Sequence, residues 1–209
     1  MPVSDAVIEQ RAEEAVSDYI EHHRDDAARE LRFYRLMPTV ARAIHRGARA
    51  RTADRGKHPH QWRIPRDTLR EFGAQLARHE HVLREVESFA DLHLVVEEVG
   101  RPIHGIGELA IYDTALRIGA RLSLPPSEVY LHRGTRSGAE AVGVDPRRST
   151  VAVSELPAAF AALEPHEIED CLCIFKGLLA GDPALSRTGC RCSGRGCARR
   201  PRRTARTRC

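Results

Sequence analysis

Apolar residues recur at three- and four-residue steps through most of this chain, and that spacing predicts helices. In residues 4–24, Ile8, Ala12, Ala15, Val16, Tyr19 and Ile20 form one stripe behind Ser4 as a cap. A second run with Leu31, Phe33, Tyr34 and Leu36 stops near Pro38, and Pro38 with Thr39 opens a third helix through Val40, Ala41 and Ile44. Residues 46–67 break the pattern: glycine, proline and basic residues crowd there and no periodicity returns before Ile64, so a long loop is expected.

Beyond that loop, Leu69, Phe72 and Leu76 resume the helical step, and a run from Val82 through Val86, Phe89 and Leu92 to Val96 predicts a further helix. The central segment reads as a helical hairpin over 90–122, two helices joined at His104 to Gly107, the second carrying Leu109, Tyr112, Leu116 and Leu122. After Pro125 and Pro126, the short runs Val129–His132 and Thr150–Val153 suit strands or extended connections. A last helical stretch follows, with Pro157 and Pro165 placed as first-turn prolines and Ile168, Leu172, Phe175 and Leu179 on one face. The expected fold is mainly α: a compact multi-helix domain over 1–185 that contains the hairpin.

Composition refines this picture at the C-terminal end. The 209 residues are 42% hydrophobic and 30% charged, the balance of a water-soluble globular chain, and the formal net charge is +4. Nine of the 33 basic residues are arginines between Ser186 and Cys209, where no acid occurs; residues 1–185 keep 24 basic against 29 acidic side chains and are therefore mildly acidic. The 186–209 tail has no apolar side chain larger than alanine or cysteine and is expected to be disordered, either as an arginine-rich nucleic-acid arm or as the product of an altered reading frame. Its cysteines Cys190, Cys192, Cys197 and Cys209 lack the paired C-x2-C spacing of zinc knuckles. Cys171 and Cys173, in the body, are expected to place one thiol in the core and turn the other away. No window has the roughly 18 apolar residues of a membrane span, and the first residues lack the order of a signal peptide, so a cytoplasmic location is expected.

The segment Ile103-His104-Gly105-Ile106-Gly107 carries the clearest chemical suggestion. Two glycines in a turn between helices let backbone approach a ligand closely and offer N–H groups at a helix start, where the macrodipole favours an anion. This turn resembles the helix-hairpin-helix motif, whose G-h-G turn, h being apolar, grips a DNA phosphodiester backbone without reading sequence. The resemblance runs over residues 90–145 and is similar to the hairpin of base-excision DNA glycosylases. It implies DNA as partner, with Gly105, Ile106 and Gly107 as the grip and Arg101, Arg117, Arg133 and Arg136 as phosphate contacts. In those enzymes a V-D-x-H segment follows the hairpin; here Val129-Tyr130-Leu131-His132 stands in its place, with tyrosine where the catalytic aspartate belongs and Glu108 and Leu109 where bifunctional members carry a lysine. A non-sequence-specific DNA-binding protein, a catalytically degenerate relative of repair domains, is thus the leading expectation. The alternative is a helical protein-interaction scaffold with a protein partner and no nucleic acid.

Other polar groups suggest less. The loop residues His60, Gln61, Trp62 and Arg63, together with His132, form a candidate ligand-contacting set; in the bland alternative Trp62 and Ile64 simply anchor the loop to the core. The histidine pairs His22-His23, His58-Pro59-His60 and His79-Glu80-His81 lack helical i, i+4 ligand spacing, and neither a metal nor any other cofactor is expected from them. Asp113 and Arg117 are spaced for a surface ion pair, and Glu167, Glu169 and Asp170 fall where carboxylates stabilise the start of a helix.

Overall fold

The structure is a computed structural model that describes residues 3–54 and 56–182. Ten helices occur among the described residues, with one two-stranded sheet. The expectation of a mainly helical fold holds; the reading of the 186–209 tail lies outside the described residues.

Helix α1 (Asp5–His22) buries Ala12, Ala15, Val16 and Tyr19, the centre of the predicted stripe. Ser4 stands at its N-cap, but the expected side-chain cap is absent: its carbonyl, not its hydroxyl, receives the Val7 and Ile8 amides. A break at His23 leads to α2 (Arg24–Arg35). Thr39 then caps α3 (Val40–Gly47) by accepting the Arg42 amide at 3.2 Å, as its position after Pro38 suggested. The segment expected as one helix from Val82 to Val96 is two. After α4 (Arg66–Arg78), the short α5 (Glu80–Glu85) ends in extended backbone at Val86, and Ser88 caps a new helix, α6 (Phe89–Gly100), by accepting the Asp91 amide. Ser88 is the serine of an S-x-x-D start signal, which competes with the apolar periodicity running through it.

The second helix of the hairpin, α7 (Glu108–Leu122), is the axis of the fold. It packs against α2, α3 and α6, and nine of its 15 residues are buried. A helix covered on so many sides must satisfy its polar groups internally, and Asp113, Thr114 and Arg117 are among the buried nine. Strand β1 (Val129–Tyr130) pairs antiparallel with β2 (Thr150–Val151), with α8 (Arg136–Ala141) between them. Pro165 opens α9 (Pro165–Ile174), and α10 (Lys176–Ala180) follows.

Two large apolar clusters result. One joins α1, β1, β2, α8, α9 and α10 around Tyr19, Phe160, Ile168 and Leu172. The other joins α3 to α7 around Ile44, Phe72, Leu92 and Ile118. Helix α8 approaches α9 so closely that a Cβ on Gly138 would stand 2.1 Å from the Leu172 carbonyl oxygen, so only glycine fits there.

Candidate functional site

The hairpin turn forms as the sequence predicts. The last residue of α6, Gly100, leads through Ile103, whose carbonyl accepts the Ile106 amide at 3.0 Å. Gly105 takes the left-handed conformation at φ +92°, which a side chain would resist, and an added Cβ would touch Thr68 at 3.7 Å. Ile106 is buried in the α3–α7 cluster, so its side chain holds the turn down and only its backbone can face a ligand. Gly107 is the N-cap residue of α7, in extended backbone with nothing within 4 Å of an added Cβ. The first intrahelical donor to its carbonyl is the Ile111 amide at 3.1 Å. Gly107, lacking a side chain, offers no cap to the first amides of α7, so no N-cap side chain meets these donors at the positive end of the dipole.

Glu108 organises the surroundings of these amides. Its exposed carboxylate accepts both guanidinium nitrogens of Arg136, at 2.8 and 3.0 Å, and the Arg133 backbone amide. The Arg136 hydrogen bonds, and Arg136's charge, hold the Glu108 carboxyl below the usual carboxylate range against the effect of its partial burial. The turn from His132 to Arg136 is thereby drawn against the start of α7, with Arg133 exposed beside it.

The predicted phosphate contacts divide. Arg101 is exposed at the C-terminal end of α6 and pairs with Glu97 one turn earlier. Arg133 and Arg136 lie beside the hairpin. Arg117 does not: it is 4% exposed, and its guanidinium bonds Asp113 Oδ2 at 3.3 Å and Gln61 Oε1 at 3.1 Å. The expected surface ion pair is therefore a buried one, because α7 is covered on the face that carries it, and Arg117 is unavailable to a phosphate.

The candidate loop set divides in the same way. The described part of residues 46–67 is folded rather than a featureless loop: Arg51 pairs with Lys57 across a bridge, the Tyr34 hydroxyl donates to the Arg51 carbonyl, and residues 59–61 form a turn of 3-10 helix. Gln61 is buried at the foot of this turn, its Nε2 donating to Asp113 Oδ2 at 2.8 Å. His60 and Arg63 are exposed, and Trp62 is 72% exposed, so it does not anchor the loop. That work falls to Ile64, which packs against the α3–α7 cluster as expected, and to Gln61.

His132 belongs to a different centre. It is buried, and its Nε2 is hydrogen-bonded to the buried Glu169 carboxyl group. Burial pushes the His132 imidazole down and the Glu169 carboxyl far up. Asp170 likewise points inward, receiving the Tyr19 hydroxyl at 3.3 Å, while Glu167 alone fits the expected role at the helix start, accepting the Glu164 amide and the Arg24 guanidinium. Tyr130, in place of an aspartate, stacks among Phe89, His93 and Tyr112, a packed aromatic group with no carboxylate. Among the described residues no hydrogen bond joins His60 to His132 or Arg136.

Two groups escaped the sequence reading. Asp113 collects His58 and His60 around it: one ligand atom from each of the three lies within 4.8 Å of the others. The second group is a groove of about 700 Å³ along α3 and the chain after it, lined by Arg42, His45, Arg46, Arg49 and Arg51, with no carboxylate among its lining residues. Arg46 lies over the Phe33 ring at 5.4 Å, and burial together with the four arginines pushes the His45 imidazole down. The i, i+3, i+4, i+7 spacing of residues 42, 45, 46 and 49 was a legible signal of one basic face.

Compared with protein-family models, with curated proteins and with solved structures, the chain matches none.

Proposed function

We propose that this protein binds duplex DNA without sequence specificity, by seating a backbone phosphate on the start of α7 between Gly105 and Ala110. The observation that carries this reading is the run of uncapped amides at that helix end, with Arg133 and Arg136 drawn beside it by Glu108. Amides and a dipole end bind an oxyanion, and neighbouring arginines add salt-dependent attraction. Such contacts touch phosphate and sugar, which positions a duplex but reads no base. The arginine groove on α3 supplies a second surface of the same sign. The overall acidity of residues 1–185 does not oppose this, since local potential governs encounter.

The reading is tested by fluorescence anisotropy of a labelled duplex with the full chain and with Arg133→Ala/Arg136→Ala, over a salt series. Each arginine that neutralises a phosphate contributes about 0.9 to the slope of log affinity against log salt. The double variant should bind more weakly and with a slope shallower by about 0.9, the share of Arg133, since Glu108 occupies Arg136 and the arginines of the 186–209 tail remain. An unchanged slope would remove the hairpin from the binding surface.

A further inference from the structure

We propose that His58, His60 and Asp113 form a binding site for one divalent transition-metal ion of the zinc class. The three residues come from two places more than 50 residues apart in sequence, the start of the 3-10 turn, with His58 at its N-cap and His60 within it, and the middle of α7, and the fold brings one ligand atom of each within 4.8 Å of the others. Donors on a common zinc ion, at roughly 2.0–2.2 Å from it, stand somewhat closer together than that, so a small closure is required. His60 is exposed and can supply it by a change of rotamer.

The state of each donor suits a cation. His58 Nδ1 is enclosed by protein and has no hydrogen-bond partner, a costly condition for a buried polar atom and one that a coordinated ion would relieve. Burial and the nearby Arg117 charge push the His58 imidazole down to about 3. The rings of His58 and His60 meet edge to face at 5.1 Å. Asp113 Oδ2 is held by Gln61 and Arg117 at 2.8 and 3.3 Å, which fixes the carboxylate's orientation and leaves its other oxygen to coordinate. Arg117 brings one positive charge, which the Asp113 carboxylate that it contacts balances. Two imidazoles and one carboxylate form an N/N/O set typical of zinc, manganese or ferrous iron, and three protein ligands leave open positions for water or an anion. The absence of i, i+4 spacing between the histidines hid the site, since its third member arrives from α7.

The test is a Co2+ titration of the full chain carrying Cys190→Ser, Cys192→Ser, Cys197→Ser and Cys209→Ser, followed by visible absorption and by calorimetry with Zn2+. One ion per chain should bind, with d–d bands and no sulfur-to-metal charge transfer. His60→Ala, on an exposed residue that will not compromise folding, should weaken binding at least tenfold. Gln61→Ala, a positioning change, should weaken it about 10–100-fold. Asp113→Asn should abolish it, and if that variant does not fold, His60→Ala decides alone. No saturable binding, or binding equally tight in His60→Ala, overturns the proposal. Because neither histidine belongs to the hairpin, DNA binding and metal binding can fail independently.

Discussion

Gln61 and Asp113, 52 residues apart, are joined by a 2.8 Å hydrogen bond in the interior, and Arg117 closes the triangle by donating to both. The Gln61 amide is suited to this, since its nitrogen donates to the carboxylate while its oxygen accepts from the guanidinium. Three buried polar groups therefore satisfy one another, and the segment after α3 is fastened to the central helix.

Loss of that bridge is expected to destabilise the fold. Gln61→Ala should cost about 2–3 kcal/mol, because two buried polar atoms lose a partner. Asp113→Ala should cost more, about 3–5 kcal/mol, since it strands the Arg117 charge. Asp113→Leu/Arg117→Met should recover much of that loss. Urea denaturation measures all three; equal costs for the single Asp113 variant and the double one would contradict the buried-pair account.

The depressed His58 imidazole gives stability a definite pH dependence. In the unfolded chain its value is 6.5 and in the fold about 3, so between these the unfolded state takes up a proton that the folded state refuses. Its contribution is full above pH 6.5 and is lost as pH falls toward 3, with a slope of about 1.4 kcal/mol per pH unit. His58→Gln should remove one proton's worth of this slope between pH 6 and 4, leaving the opposing contributions of Glu169 and Asp170 unchanged. Denaturant midpoints measured at several pH values for both proteins check it; parallel curves would refute it.

Much of the helical pattern was legible because apolar spacing alone decides it: α1, α3, the hairpin and the proline start of α9 all stand where the pattern put them. The break between α5 and α6 was missed because Ser88 interrupts a stripe that continues on both sides. The polar interior was less legible. An i, i+4 Asp–Arg pair looks the same whether solvent or protein covers it, and only the packing of α7 against α2, α3 and α6 makes Asp113 and Arg117 internal. Glu169 was invisible for a related reason: its partner His132 lies 37 residues away on a separate turn.

The close approach of α8 to α9 should be intolerant of any side chain. Gly138→Ala places a methyl 2.1 Å from the Leu172 carbonyl oxygen, which is backbone and cannot turn aside. A loss of about 3 kcal/mol is expected, read as a lowered denaturation midpoint. By contrast Gly143→Ala, with open space around its Cβ position, should cost only what its positive φ of +88° demands.

Glu108 acts on the proposed phosphate seat in two ways, as a competing anion at the helix start and as the group that occupies Arg136. Glu108→Gln removes the competing charge and frees the guanidinium. Duplex affinity of the full chain at low salt should rise several-fold, with a steeper salt dependence as Arg136 joins the contact. A fall in affinity would mean that the ion pair is needed to hold the His132–Arg136 turn in place.

The most direct test of the phosphate seat is Gly107→Asp in the full chain, followed by both stability and duplex binding. Gly107 is already an N-cap in extended backbone with room for a side chain, so aspartate should cap α7 and leave stability unchanged or a few tenths of a kcal/mol higher. The same carboxylate fills the amide-lined position that a phosphate would take. The variant should be at least as stable as the original, with a duplex affinity at moderate salt lowered tenfold or more; undiminished affinity in that stable variant would contradict a phosphate seat at the start of α7.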